Sequence, residues 1–130
     1  MKRFKINENS FKLTRSEAKL SEIIWENEPL SSTKLVRLSE MDMEWSKSTT
    51  YTVLKKLCEK GIFRNERAIV SALITRDEFI TGKSRLYVKN TFDGSLSRFL
   101  VSYFGDDRLT AEQSAKLKSL IEECEEGGDE

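Results

Sequence analysis

Trp45-Ser46-Lys47-Ser48-Thr49-Thr50-Tyr51-Thr52-Val53-Leu54-Lys55-Lys56-Leu57-Cys58-Glu59-Lys60-Gly61 is the stretch whose reading decides the fold. Ser46 has the chemistry of an N-cap, offering a side-chain oxygen to a helical N–H that lacks a partner. Lys60-Gly61 supplies a basic last turn and a residue that adopts the left-handed cap without strain. Between them, Thr50, Val53, Leu54 and Leu57 fall three and four residues apart and form a buried face. The other side carries short polar groups and cations. A helix with that division fits the major groove of a nucleic-acid duplex, where side chains on its first turns reach base edges. Ser48, Thr49, Tyr51 and Thr52 are the candidate readers, Lys47, Lys55 and Lys56 the candidate phosphate contacts, and Ser46, the cap, completes the expected DNA-binding set. The same pattern also describes any solvated surface helix. The flanking elements decide between the two.

Upstream, Thr14 and Glu17 have capping-box spacing and open a helix with Ala18, Leu20, Ile23, Ile24 and Trp25 as its apolar set. Asn27-Glu28-Pro29 ends it, because proline lacks the N–H and restricts the residue before it. Leu30 and Ser31-Ser32 then begin a shorter helix with Leu35, Val36 and Leu38, fading over Glu40 to Met43. Downstream of Gly61 the apolar period drops toward two. Ile62-Phe63-Arg64 reads as a strand, Asn65-Glu66-Arg67 as a turn, and Ala68 to Ile74 as the return strand. Arg64 and Arg67 would lie over the neighbouring backbone or minor groove. Three helices followed by a hairpin is the order of a winged helix-turn-helix. Trp45 reads as a core anchor.

The rest of the chain is helical. Thr75 and Glu78 repeat the capping box, opening a helix through Phe79, Ile80, Leu86, Tyr87 and Val88 that Gly82 weakens. Asp93-Gly94-Ser95 starts the next, where Leu96, Phe99, Leu100, Tyr103 and Phe104 form one apolar stripe. Thr110 and Gln113 cap the last helix, whose face is Leu117, Leu120, Ile121 and Cys124. Its acidic end, Glu125 to Glu130, is expected to fray. The stripe is too apolar to stay exposed on a small protein, which implies pairing with a second copy. Phe79, Leu86, Leu96, Phe99, Leu100, Tyr103, Phe104, Leu117, Leu120 and Ile121 are the expected dimerisation residues.

The fold class expected is therefore mainly α with a small β-hairpin wing. A winged helix-turn-helix DNA-binding domain spans 1–75, and a helical dimerisation domain spans 76–130. Charge agrees with that division. Residues 1–92 hold 18 Lys/Arg and 12 Asp/Glu, a balance of +6, and residues 93–130 hold 4 and 10, a balance of −6. A basic front and an acidic rear suit a polyanion-binding head joined to a part that stays off the polyanion.

Composition excludes much else. The chain has no histidine, which removes Ser-His-Asp chemistry, histidine acid–base catalysis and histidine zinc sites together. Two cysteines, Cys58 and Cys124, do not make a four-cysteine metal site, and their distant helical contexts suit free thiols in a reducing cytoplasm. No metal, no cofactor and no enzyme activity are expected, because no nucleophile–base pair and no phosphate-cradling glycine loop is present. No apolar run spans a bilayer, and the basic Met1-Lys2-Arg3 start lacks the apolar segment of a signal peptide. A winged module that binds protein rather than specific DNA is the rival reading.

The chain resembles the penicillinase repressor family, which includes methicillin-resistance regulators and copper-responsive repressors. The resemblance rests on Leu13-Thr14-Arg15-Ser16-Glu17, Ile23-Ile24-Trp25-Glu26, Trp45-Ser46-Lys47-Ser48-Thr49, Leu54-Lys55-Lys56-Leu57 and Lys60-Gly61. It runs without gaps from Trp45 to Gly61. Ala18 stands where the family often has Trp, Lys47 where it has Pro, Ser48 where it has Lys, and Tyr51 where it has Arg or Gln. Thr49 and Thr52 are kept, but the family's usual operator is not carried over. The resemblance implies a cytoplasmic homodimer with interlocked C-terminal helices, one head on each half of a palindromic double-stranded operator. In the antibiotic-responsive branch, a membrane sensor-protease system leads to cleavage in the dimerisation helix. The matching bond is Tyr103–Phe104, where the family has Asn-Phe, but the favoured reading of both residues is as buried helix positions. Copper-responsive relatives carry paired Cys-x-Cys motifs at the C-terminus. Cys124 stands alone there, so no metal switch is expected.

Overall fold

The computed structural model describes residues 6–128, with side chains through Glu125. The basic start over Met1–Lys5 and the acidic side chains of the last five residues lie outside the described set. After a 3-10 turn at Glu8–Phe11, the order is α1 (Arg15–Asn27), β1 (Leu30–Ser31), α2 (Ser32–Met43), α3 (Lys47–Glu59), β2 (Phe63–Glu66), β3 (Ile69–Ala72), α4 (Arg76–Phe92), α5 (Leu96–Phe104) and α6 (Ala111–Gly128). Two compact units result, one ending at Tyr87 and the other beginning at Val88, so α4 runs through the division.

The first unit is a winged helix-turn-helix. Its helix starts follow the local signals. Thr14 and Glu17 satisfy each other's backbone N–H groups at 3.1 and 2.9 Å, and Thr75 and Glu78 do the same at 2.7 and 3.0 Å. Leu30 departs from the sequence expectation. It does not begin the second helix but pairs with Val70, while Ser31 pairs with Ile69 and caps α2 through Lys34 N–H. The reason is backbone geometry: Ser31 is extended (φ −71°, ψ 151°), as an N-cap must be, so the residues before it are free to join the sheet.

The sheet order is β1-β3-β2, antiparallel throughout. Its hairpin is tighter than the sequence suggests. Glu66 pairs with Ile69, leaving Arg67 and Ala68 as a two-residue turn, both with positive φ (52° and 63°). That is the turn whose twist matches the flanking strands, built here without glycine or asparagine. Since β1 is short, it leaves the Ala72 N–H beyond its reach, and the Glu28 carboxylate accepts that hydrogen at 2.7 Å.

Leu20, Ile24, Leu35, Leu57, Ile62, Phe63 and Val70 are fully buried in one cluster. Each large aliphatic there contributes about 1.5–3 kcal/mol by leaving water. Trp25 packs on Phe63 and Phe79 with ring centres 5.2 and 5.4 Å apart, and its indole N–H donates to Ile74 O at 3.1 Å. Trp45 is half-buried against the same cluster, as a core anchor would be.

Gly82, expected to weaken α4, has a packing reason to be there. The Phe11 ring lies against it, and a Cβ at that position would sit 2.1 Å from Phe11 Cε1. The second unit differs in kind. From Val88 to Glu125 no residue is buried. Phe92 meets Phe99 edge-on at 5.7 Å, Phe99 lies 6.1 Å from Tyr103, and Tyr103 meets Phe104 at 5.2 Å.

Candidate nucleic-acid interface

Helix α3 carries the site, and its cap sets where the site begins. Ser46 Oγ accepts the Thr49 N–H at 3.1 Å and lies 3.0 Å from Thr49 Oγ1, to which it donates. Its carbonyl accepts the hydroxyl of fully buried Thr50 at 3.1 Å. Ser46 is therefore an exposed residue whose side chain is occupied at the helix start. Lys47, Ser48, Thr49, Thr52, Lys55 and Lys56 are exposed, while Thr50, Val53, Leu54 and Leu57 are buried. From Ser48 to Lys56 the exposed residues recur at three- and four-residue spacing and form one continuous row along the helix, with Lys47 exposed at its start. With 13 residues, α3 is roughly 20 Å long, enough to lie along a groove.

Tyr51 does not join that row. It is half-buried, packs against the head cluster, and donates its hydroxyl to Ser32 Oγ at 3.1 Å. The helical period explains this: Tyr51 lies one residue before Thr52, on the flank that faces α2. The sequence signal there was a polar aromatic on a polar helix, which does not distinguish the groove side from the α2 side.

In the wing, Arg64 and Arg67 are both exposed. Arg64 Nε donates to Ser71 Oγ at 3.2 Å, its pairing partner across the strands, and its Nη1 is 3.9 Å from Glu66 Oε1. Arg67 stands at the tip, in the two-residue turn.

The far end of α3 holds a pair that sequence reading missed. Lys60 Nζ lies 2.6 Å from Glu17 Oε1 and 2.6 Å from Lys12 O, with Glu17 almost wholly buried. The Lys60 carbonyl accepts the hydroxyl of buried Ser10 at 2.5 Å. Burial alone pushes the Glu17 carboxyl up. The Lys60 hydrogen bond, the Thr14 N–H and the charges of Lys60 and Lys56 outweigh it and hold the carboxyl below its ordinary value. Cys58, on the inner flank of α3, is pushed the other way, up to about 11, by burial and by the Glu59 charge against an opposing Asn65 backbone bond.

Of the residues expected to pair two copies, Leu96, Tyr103, Leu120 and Ile121 are exposed, and Val101 beside them is 73% exposed. Leu86, Phe99, Leu100, Phe104 and Leu117 are half-buried. Phe79 belongs elsewhere. It is buried in the head, 5.8 Å from Phe11 and packed on Trp25, because the first turn of α4 lies on the head's aromatic cluster. The Tyr103–Phe104 bond lies in the last turn of α5, which Gly105 closes. Among the described residues no three metal-binding side chains come together, and no helix is long and apolar enough to cross a membrane.

Comparison with known proteins matches the same regions. The family model described as penicillinase repressor matches residues 13–123, which includes the head, the wing and the tail helices. The penicillinase repressor of Bacillus licheniformis is 20% identical over 115 residues, covering 85% of this chain and 90% of that one. The methicillin resistance regulatory proteins MecI of Mammaliicoccus sciuri and of Staphylococcus aureus strain N315 are each 16% identical over 120 residues, covering 89% of this chain and 98% of theirs. With a winged helix-turn-helix, a polar row on its third helix and a family match across most of its length, this chain belongs to the penicillinase repressor family of transcriptional repressors.

Proposed function

We propose that the chain acts as a homodimer that occupies a palindromic operator and blocks transcription from it. The observation that carries this reading is the exposed row of Ser48, Thr49, Thr52, Lys55 and Lys56 on a helix whose opposite face is locked in the core. Lysines neutralise phosphates and supply most of the affinity, while the short hydroxyl side chains approach base edges. Arg67 at the wing tip adds a cation beside the groove.

The tail supports pairing. Among its described side chains, Val88 to Glu125, none is buried, while Leu96, Val101, Tyr103, Leu120 and Ile121 are exposed, so these helices lack a core of their own. A second copy would supply it, and two-fold pairing would set the two recognition helices about one DNA turn apart or a multiple of it. The functional division runs at 75/76, with α4 as the connection between reading and pairing. Each head alone binds weakly, so loss of pairing releases the operator. A cut at Tyr103–Phe104 by a protease answering a membrane sensor would do this, once the last turn of α5 opens. The chain acts in the cytoplasm, where its DNA is, and without a cofactor.

Selection of duplexes from a random-sequence pool tests the reading, with sedimentation of the free protein beside it. A palindromic consensus bound by a dimer is the expected result. A chain that enriches no sequence is a protein-binding winged module instead.

A further inference from the structure

We propose that Ser32 and Tyr51 are positioning residues that hold the wing tip and the reading row of α3 in one register on DNA. This rests on the DNA-binding reading above and adds to it a source of sequence discrimination outside the contact surface. Ser32 is the first residue of α2 and only 5% exposed. Its hydroxyl oxygen accepts the Tyr51 hydroxyl at 3.1 Å, and its backbone N–H donates to Ala68 O at 2.9 Å. Ser32 thus joins two elements that are far apart in sequence, the second turn of α3 and the turn of the wing.

Each half of that link has a physical reason to form. The N–H of Ser32 is one of the first-turn donors that a helix leaves without an internal partner, so a carbonyl from outside completes it. Ala68 has φ 63° without being glycine, and a conformation of that kind persists where surrounding contacts impose it. The Ser32 bond is one such contact, and the Glu66–Ile69 pair that closes the turn is another. On the other side, Tyr51 lies one residue before Thr52 and three after Ser48. Its hydroxyl bond to α2 resists rotation of α3 about its own axis, the motion that would carry those two side chains away from the base edges. Neither Ser32 nor Tyr51 is a cation, so the link bears on discrimination rather than on phosphate affinity.

The test compares the parent with Tyr51→Phe, Ser32→Ala and the double variant. The probes are duplexes enriched by the parent from a random pool, with poly(dI-dC) as the non-specific duplex. Each single variant should lower the ratio of specific to non-specific affinity about three- to tenfold, the range of one net hydrogen bond. The double variant should lose no more than the singles, since one bond is removed, and the salt dependence should not change. In amide spectra of the free protein, Tyr51→Phe should also shift Ser32 and the wing amides of Arg67 to Ile69. A loss with Tyr51→Phe but not with Ser32→Ala would overturn the proposal and make Tyr51 a direct contact. An equal loss on every duplex would overturn it in favour of a general stability role. Wing amides that stay in place would refute the link itself, even with operator binding intact. A parent that enriches no duplex removes the DNA-binding reading, and the positioning role with it, while the amide spectra still decide whether Ser32 couples α3 to the wing.

Discussion

Lys60 at the end of α3 and Glu17 near the start of α1 form an ion pair at 2.6 Å across 43 positions of sequence, with the carboxylate almost fully out of water. The pair ties the C-terminus of α3 to the capping box of α1, since the same Glu17 oxygen accepts the Thr14 N–H at 2.9 Å. Lys12 O and Ser10 complete the arrangement from the segment before α1. Helix α3 is therefore capped by Ser46 at its start and tied to α1 through Glu17 at its finish.

This anchor makes stability fall with acid in a defined window. The Glu17 carboxyl is held below its ordinary value of 4.5 in the folded protein. Its contribution is thus fully present above that value and is lost as pH falls through it toward the folded value. Glu17→Gln should cost about 1.5–3 kcal/mol near neutrality, the range for a hydrogen bond to a charged group. Urea unfolding of parent and variant from pH 7 downward reads the effect. The gap between them should narrow below about pH 4.5. A gap that stays constant into acid would show that the charge on Glu17 is not what matters.

Gly82 offers a test with a change of sign. In an exposed helix, glycine to alanine stabilises by about 1 kcal/mol. Here the added methyl would sit 2.1 Å from Phe11 Cε1, so the ring must move off α4. Gly82→Ala should lower the melting temperature of the parent. In a Phe11→Ala background the same change should raise it, because only the helix preference remains. Stabilisation in both backgrounds would mean that Phe11 yields without cost.

The two thiols should differ sharply in reactivity. Cys58 is half-buried and its thiol is pushed up to about 11, so almost none is thiolate at pH 8. Cys124 is exposed. A maleimide or disulfide reagent should label Cys124 in the native protein and reach Cys58 only on unfolding, as peptide mass mapping would show. Rapid native labelling of Cys58 would mean that the inner flank of α3 opens readily.

What could be read from the sequence was local. Ser46 and the pairs Thr14/Glu17, Thr75/Glu78 and Thr110/Gln113 formed as their spacing implied, since each bond joins residues three apart at a helix start, and Gly61 takes the left-handed conformation after α3 (φ 82°). The buried face of α3 followed from its period. Missing were the contacts set by how elements rotate against each other. Tyr51 turned to Ser32, Glu28 reached Ala72, and Phe79 joined the head's aromatic cluster. No spacing rule carries these, because side-chain direction on a helix flank depends on which neighbour packs there. The wing turn was misplaced for a related reason: Arg67 and Ala68 are not turn residues by preference, and strand register overrode them.

The row proposed to read DNA separates into two kinds of expected interaction. Thr52 is exposed in the middle of the row, and removing its hydroxyl leaves the cap of α3 intact. Thr49 differs, because its backbone and hydroxyl both bond to Ser46, so replacing it also disturbs the helix start. Thr52→Ala should therefore be the cleaner probe. It should relax the preference at one position of each half-site, by about 1–3 kcal/mol, and leave the other positions as they are. Lys55→Gln and Lys56→Gln should weaken binding to every duplex alike and reduce the slope of log K against log salt by about 0.9 for each phosphate no longer neutralised. Lys56 carries a second expectation, since its charge helps to hold the Glu17 carboxyl down. Its removal should shift the acid unfolding of the free protein slightly upward in pH, whereas removal of Lys55 should not. Competition binding over a range of salt, paired with acid titration of the unbound variants, separates these roles. A lysine variant that relaxes one base position instead of the slope would belong among the readers, and the division of the row between phosphates and bases would have to be redrawn.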